Sequence, residues 1–345
     1  MADFDKKRII SLAGATASGK TALGAAIAKA LGGEVISCDS MQVYSGMSIA
    51  TAAPTADEMQ GIAHHLVGYV SPDEEYSVSR FCADAAVAAE DIFARGKIPV
   101  LVGGTGLYMQ CFTDNITFSG GGASKQRAEL LSRFENEGIE PLIAELSGID
   151  ADYAARLHKN DTKRIIRALE LYYESGIKMS EQLARSHDVP PEFDTVRLAI
   201  EYRDRELLYS RINRRVDIMV ENGLIEEARA AYSRKSATAA QAIGHKELFP
   251  YFDGEATADE CIERLKMQTR RYAKRQMTWF GAKEYVRWIT LDRDGQMRPA
   301  DEILNTGSLQ AKDTSNCYTA SEVHRSPYYD STVIGCFKNG TLLTV

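Results

Sequence analysis

Residues 14–21 read Gly14-Ala15-Thr16-Ala17-Ser18-Gly19-Lys20-Thr21, and this octet constrains the chain more than any other segment. It fits the pattern G-x-x-x-x-G-K-[ST]. An apolar run at 8–13, predicted as a buried strand, precedes it. A helical stretch follows, with Leu23, Ile27 and Leu31 on one face. Gly14 and Gly19 let the backbone curl so that successive N–H groups point into one concavity. The helix starting near Lys20 adds the positive end of its dipole. Lys20 brings a mobile cation to phosphate oxygens, and Thr21 offers a hydroxyl to Mg2+. The octet therefore implies a di- or triphosphate ligand, without saying which.

A second strand is expected at 34–37, ending in Cys38-Asp39-Ser40. A helix at 77–95 leads to a third strand at 99–102, closed by Gly103-Gly104. Strand–helix alternation of this kind signals an α/β fold, a P-loop NTPase-like parallel sheet flanked by helices. The run 119–123 reads as a flexible joint. We expect the first part of the core at 1–119, a helical insertion at 120–193, and a return strand (196–202) with basic C-terminal helices within 194–304. Residues 203–284 read as almost wholly helical. The tail, 305–345, is rich in Ser, Thr, Asn and Gly. It is expected to be disordered or to hold a short hairpin at 332–345, and no function is assigned to it.

No apolar run approaches the ~20 residues of a membrane helix. The N-terminal apolar stretch runs into the glycine loop without a cleavage pattern, so a cytoplasmic location is expected. The six cysteines (38, 82, 111, 261, 317 and 336) form no C-x-x-C pair, which fits reduced thiols better than disulfides or a zinc site. A net charge of −7 argues against a generic nucleic-acid binder, but phosphate contacts need only a local basic surface. Arg264, Gln268, Arg271 and Arg275 recur at helical spacing, with Arg270 and Lys274 on an adjoining face. That face suits an RNA backbone; the alternative is a solubilising surface.

Asp39 ends an apolar strand beside the loop, where an acid can reach a metal or a substrate proton; the alternative is an N-cap for the next helix. The strand at Val100 ends in Gly103-Gly104-Thr105-Gly106, with no acid where a motor-type ATPase carries one, which favours a transferase over a hydrolase. Two other readings stand beside this one: a small-molecule kinase sharing fold and Mg2+, and a nucleotide-regulated RNA-binding protein without catalysis. His64 and His65 read as packing residues, and His158 and His187 are given no role.

The octet followed by Asp39-Ser40-Met41-Gln42-Val43-Tyr44 resembles the tRNA dimethylallyltransferases (tRNA isopentenyltransferases). Further segments of that pattern follow in order. They are Thr51-Ala52-Ala53-Pro54, His64-His65-Leu66, Gly103 to Tyr108, Asn160-Asp161 with Arg164 and Arg167, Arg205-Glu206-Leu207 with Arg211, Ala242-Ile243-Gly244, and Ala273-Lys274-Arg275-Gln276 with Thr278-Trp279. Ala15, Ala53 and His245 depart from the family's usual Pro, Lys and Tyr. The resemblance, spanning about 8–290, implies transfer of a dimethylallyl group from its diphosphate to the N6 amine of the adenosine just 3′ of the anticodon, with Mg2+ as cofactor; a monomer is expected, though nothing in the sequence sets the oligomeric state. It makes Asp39 the base, with Lys20 and Thr21 also catalytic. Gly14 to Thr21, Arg205 and Arg211 would bind pyrophosphate. Asp39, Ser40, Met41, Gln42, Thr105, Lys163, Arg164, Ile165, Ile166, Arg167, Gln241, Ala242, Ile243, Gly244, His245 and Lys246 would hold tRNA.

Overall fold

Among the described residues, six strands form one wholly parallel sheet in the order β3-β2-β4-β1-β5-β6. They are β1 (Arg8–Gly14), β2 (Glu34–Cys38), β3 (His64–His65), β4 (Pro99–Gly103), β5 (Asp194–Tyr202) and β6 (Arg287–Leu291). The computed structural model describes residues 7–116, 124–187, 189–233, 238–283 and 286–291. It also describes the antiparallel strands Phe337–Lys338 and Thr341–Leu342, which fall within the expected hairpin. The expected joint at 119–123, the side chain of His187 and the rest of the tail lie outside the described residues.

β1 is central, pairing Ile10 with Val100 on one side and with Val196 on the other. β2 and β4 are buried at every position, as strands covered by helices on both faces must be. The helix Lys20–Ala30 packs Leu23, Ile27 and Ala28 into the same core as Leu12, Val100 and Val102. β3 and β6 add edges that the sequence reading did not include. Two-residue β3 is too short for a periodic signal. Glu34, under 10% exposed, is held at the β2 edge by Arg95, Lys97 and His65. Burial alone would raise its pKa, but hydrogen bonds from those three groups outweigh it and lower it to about 2. His64 bonds its Nδ1 to the Ile62 carbonyl at 2.9 Å.

The chain divides into two compact units, Met1–Met109 with Phe193–Val345, and Gln110–Glu192. The first division falls inside the helix Gly106–Thr113 rather than at the glycine run near 120. The second unit is helical, with its own core of Leu130, Leu142, Leu146, Ile165 and Leu169. After β5 the chain runs through helices Arg205–Glu221 and Leu224–Tyr232 to the long helix Ala258–Gly281. Thr257 and Glu260 start that helix with a capping box. No helix among the described residues is long and apolar enough to cross a membrane.

Candidate active site

β1 stops at Gly14, and the next residues wrap into a loop whose exit is Gly19, with φ of 89°. A left-handed conformation there costs glycine nothing. The helix Lys20–Ala30 then begins with no side-chain cap on its first turn, leaving its leading amides for a ligand. Within the loop, Ser18 N–H turns back to the Ala15 carbonyl at 3.2 Å. Gln276, from the long C-terminal helix, accepts the Thr16 N–H at 2.9 Å.

This loop forms one wall of a cavity of about 230 Å3. Thr16, Ala17, Lys20 and Thr21 face Asp39, Ser40, Met41 and Gln42 from the end of β2, Arg215, Val216 and Met219 from the helix Arg205–Glu221, and Gln241, Ala242, Ile243 and Gly244. Leu265, Thr269, Tyr272, Arg275 and Gln276 close it from the long helix. Burial, and then the charge of Arg215, lower the Lys20 pKa to about 8, while Asp39 opposes both. Burial likewise lowers Arg215, against the opposing charges of Glu58 and Asp39. Two cations and one carboxylate thus share one enclosed space.

Asp39 is held by its own turn. Its Oδ1 accepts Met41 N–H at 2.9 Å and Gln42 N–H at 3.3 Å, so it does anchor local backbone. That anchoring also fixes the direction of the carboxylate. Gln42 ties the turn to the far wall, accepting the Ser37 hydroxyl and donating to the carbonyls of Thr51 and Ala52. Thr105 accepts Ser40 N–H at 3.1 Å and also bonds the Tyr272 hydroxyl. Burial, followed by the charge of Asp39, raises the Tyr272 pKa. Gly103 is glycine because a Cβ there would lie 1.9 Å from the Cys38 carbonyl oxygen. This explains in steric terms the acid-free end of β4.

The expected site residues do not all meet at the cavity. The loop, Asp39 to Gln42 and Gln241 to Gly244 gather around the cavity. Arg211 reaches the loop from outside, donating to the Ala17 carbonyl at 3.0 Å and lying over the Tyr202 ring. Arg205 and Lys246 are exposed and do not line the cavity. His245 is fully buried. Its Nε2 meets Glu227 at 2.9 Å, and Glu227 in turn accepts the N–H groups of Ile49 and Ala50. Its side chain therefore braces the wall, and the expectation of direct tRNA contact by that side chain is corrected. The same correction applies to Ile165 and Ile166, which are core residues of the second unit because they lie on the apolar face of the helix Thr162–Ser175. Lys163 and Arg164 are exposed on that helix, and Arg167 pairs with buried Glu170.

Arg215, Tyr272 and Gln276 line the cavity but were given no role from sequence. Arg215 is four residues beyond Arg211, one helical turn on, and that spacing was the available signal. Tyr272 and Gln276 are related in the same way, on the inward face opposite exposed Arg271. Arg275 is exposed and stacks on the Tyr272 ring, while Arg270 is tied to Asn213 at 2.6 Å.

Comparison with known proteins agrees with this geometry. The family model described as IPP transferase matches residues 42–283, and that described as isopentenyl transferase matches 7–70. A tRNA dimethylallyltransferase of Geobacillus kaustophilus is 46% identical over 311 residues, covering 88% of this chain and 98% of the relative. One from Bacillus pumilus is 45% identical, covering 83% and 90%. Among solved structures, a tRNA isopentenylpyrophosphate transferase of Bacillus halodurans superposes with a TM-score of 0.63 at 41% identity, over 88% of this chain and 97% of that one. A eukaryotic dimethylallyltransferase caught acting on tRNA gives a TM-score of 0.71 at 34% identity, over 82% and 74%. With family models matching from residue 7 to residue 283 and relatives more than 40% identical over most of both chains, the chain belongs to the tRNA dimethylallyltransferase family.

Proposed function

We propose that this enzyme transfers a dimethylallyl group from dimethylallyl diphosphate to the N6 amine of the adenosine immediately 3′ of the anticodon, releasing pyrophosphate, and that it does so as a monomer. The observation that carries the reading is the convergence of Lys20, Arg215 and Asp39 on one cavity beside the phosphate loop. Breaking the allylic C–O bond moves its electron pair onto pyrophosphate and leaves positive charge on carbon. Fixed amides, Lys20 and Arg215 lower the energy of that departing anion. Met41, Val216, Met219, Ile243 and Leu265 give the cavity an apolar side suited to a five-carbon chain.

The exocyclic amine is a weak nucleophile because its lone pair is shared with the ring. As nitrogen bonds to carbon, Asp39 accepts the amine proton, which returns the product to neutrality. The adenine must leave its stack to enter, so the nucleotide is flipped. Exposed Arg271, Lys274 and Arg275 supply positive charge for the RNA backbone beside the cavity. The Thr21 hydroxyl is a hard oxygen donor at the cavity wall and suits Mg2+, which when bound supplies further positive charge to the pyrophosphate oxygens.

The test uses purified protein, Mg2+, tRNA and labelled dimethylallyl diphosphate, with no ATP. Label incorporated into tRNA supports the reading. Incorporation that strictly requires ATP, or phosphate release from ATP stimulated by a small hydroxylated acceptor, would replace it with a kinase.

A further inference from the structure

We propose that Gln276 sets the length of the phosphate chain this loop accepts, favouring a diphosphate over a triphosphate. The inference rests on the reading of the loop as a diphosphate site. Gln276 is 4% exposed and joins two segments far apart in sequence. Its Oε1 accepts the Thr16 N–H at 2.9 Å, and its Nε2 donates to the Gly104 carbonyl at 3.0 Å. The carboxamide cannot flip, because reversal would set its N–H group against the Thr16 N–H and its oxygen against the Gly104 carbonyl. The approach depends on glycine at 104, since a Cβ there would come within 2.0 Å of Nε2.

The consequence falls on the supply of amides. A phosphate loop grips its ligand with backbone N–H groups, and a longer phosphate chain draws on more of them. Here two early amides are occupied by the protein: Thr16 by Gln276, and Ser18 by the Ala15 carbonyl. The uncapped turn beginning at Lys20 remains for the anion, together with the charges of Lys20 and Arg215. At the Thr16 edge, an added phosphate would meet a carboxamide oxygen where it needs a donor. Gln276 is a positioning residue in this account, acting through the loop and not on the reacting atoms.

The experiment measures binding of inorganic pyrophosphate and of tripolyphosphate, each with Mg2+, to the full chain and to Gln276→Ala, Gln276→Asn and Gln276→Glu, with thermal melting as the folding control. The ratio of the two dissociation constants is taken within each protein, so a general loosening cancels. Gln276→Ala and Gln276→Asn release the Thr16 amide and should shift the ratio toward tripolyphosphate by about tenfold, the scale of one hydrogen bond to a charged group. Gln276→Glu keeps the acceptor and adds negative charge, so it should shift the ratio the other way; it serves as the readout if the shorter side chains unfold the protein. A ratio unchanged within about twofold in every folded variant would overturn the role of Gln276 alone. Failure of the parent protein to bind pyrophosphate would overturn the diphosphate reading and this inference together.

Discussion

Pyrophosphate binding should draw a proton onto Lys20 at mildly alkaline pH. Burial and Arg215 lower the Lys20 pKa to about 8, with Asp39 opposing them. An anion at the loop favours the ammonium form, so the pKa rises on binding and linkage requires proton uptake. At pH 8 about half of the unliganded molecules must gain a proton to bind, and at pH 9 about nine-tenths. Affinity should therefore be flat below about pH 7 and fall by up to about tenfold per pH unit above pH 8. Titration calorimetry in two buffers of different ionisation enthalpy measures the uptake directly, and Lys20→Met, which has no proton to gain, corrects for titration of the ligand itself. Arg215→Gln removes the like charge that depresses Lys20, so its inflection should move upward, even as overall affinity drops with the lost cation. The unliganded protein supplies a second check. The folded pKa lies below the unfolded value of 10.5, so the buried ammonium costs stability below about pH 8, and the cost fades as pH rises toward 10.5. Absence of proton uptake at pH 8–9, or an inflection that Arg215→Gln leaves in place, would refute the placement of these two cations around one anion.

Asp39→Asn should keep the turn, because an amide oxygen still accepts from Met41 and Gln42, yet lower kcat by about 10²-fold or more; unchanged kcat with unchanged melting would leave Asp39 as an anchor alone. Replacing both Arg271 and Lys274, which are exposed and do not line the cavity, by Gln should weaken tRNA binding and reduce its logarithmic salt slope by about two, with pyrophosphate affinity retained; equal slopes in filter binding would show that this face does not meet RNA. Glu34→Ala should destabilise the fold by about 1–2 kcal/mol, since it removes the buried acceptor shared by His65, Arg95 and Lys97, although the two cations are exposed enough to be hydrated and Arg95 keeps Asp91. Because Glu34 is held at about 2, below the ordinary 4.5, its contribution is present above pH 4.5 and is lost as pH falls from there toward 2. Denaturant melts at pH 6 and pH 3 test this, and a loss that does not shrink at the lower pH would contradict it.

The phosphate loop was legible because its chemistry is local: glycines, lysine and threonine act within eight consecutive residues, and the flanking strand and helix carry strong periodic signals. The parallel sheet followed from the same alternation. What escaped was set by packing. β3 has two residues, and its pairing depends on Val35 and Ile36 lying beside it. His245, Ile165 and Ile166 sit in segments that match the family pattern, yet their side chains turn inward, because sequence order reports which segment is used and not which face of it. Arg205 opens its helix in the exposed first turn, whereas Arg215, nearly three turns on, points into the cavity.

That last contrast bears on how the enzyme separates its two substrates. The helix Arg205–Glu221 sends Arg211 to the outside of the loop and Arg215 to its inside, so one element both braces the loop backbone at Ala17 and supplies charge to whatever the loop holds. The helix Ala258–Gly281 divides around its axis instead, by face. Gln276 and Tyr272 fix the phosphate loop and the Asp39 turn, while Arg271 and Lys274, one and two residues from Tyr272, face solvent. A diphosphate needs the inward sets, and an RNA backbone needs the outward one. Because neighbouring residues on a helix point about 100° apart, a single rigid segment can serve both without either charge set cancelling the other. The net charge of −7 is compatible with this arrangement: the positive charge that matters is held on two helix faces and in one cavity, and the acidic surplus lies elsewhere on the chain.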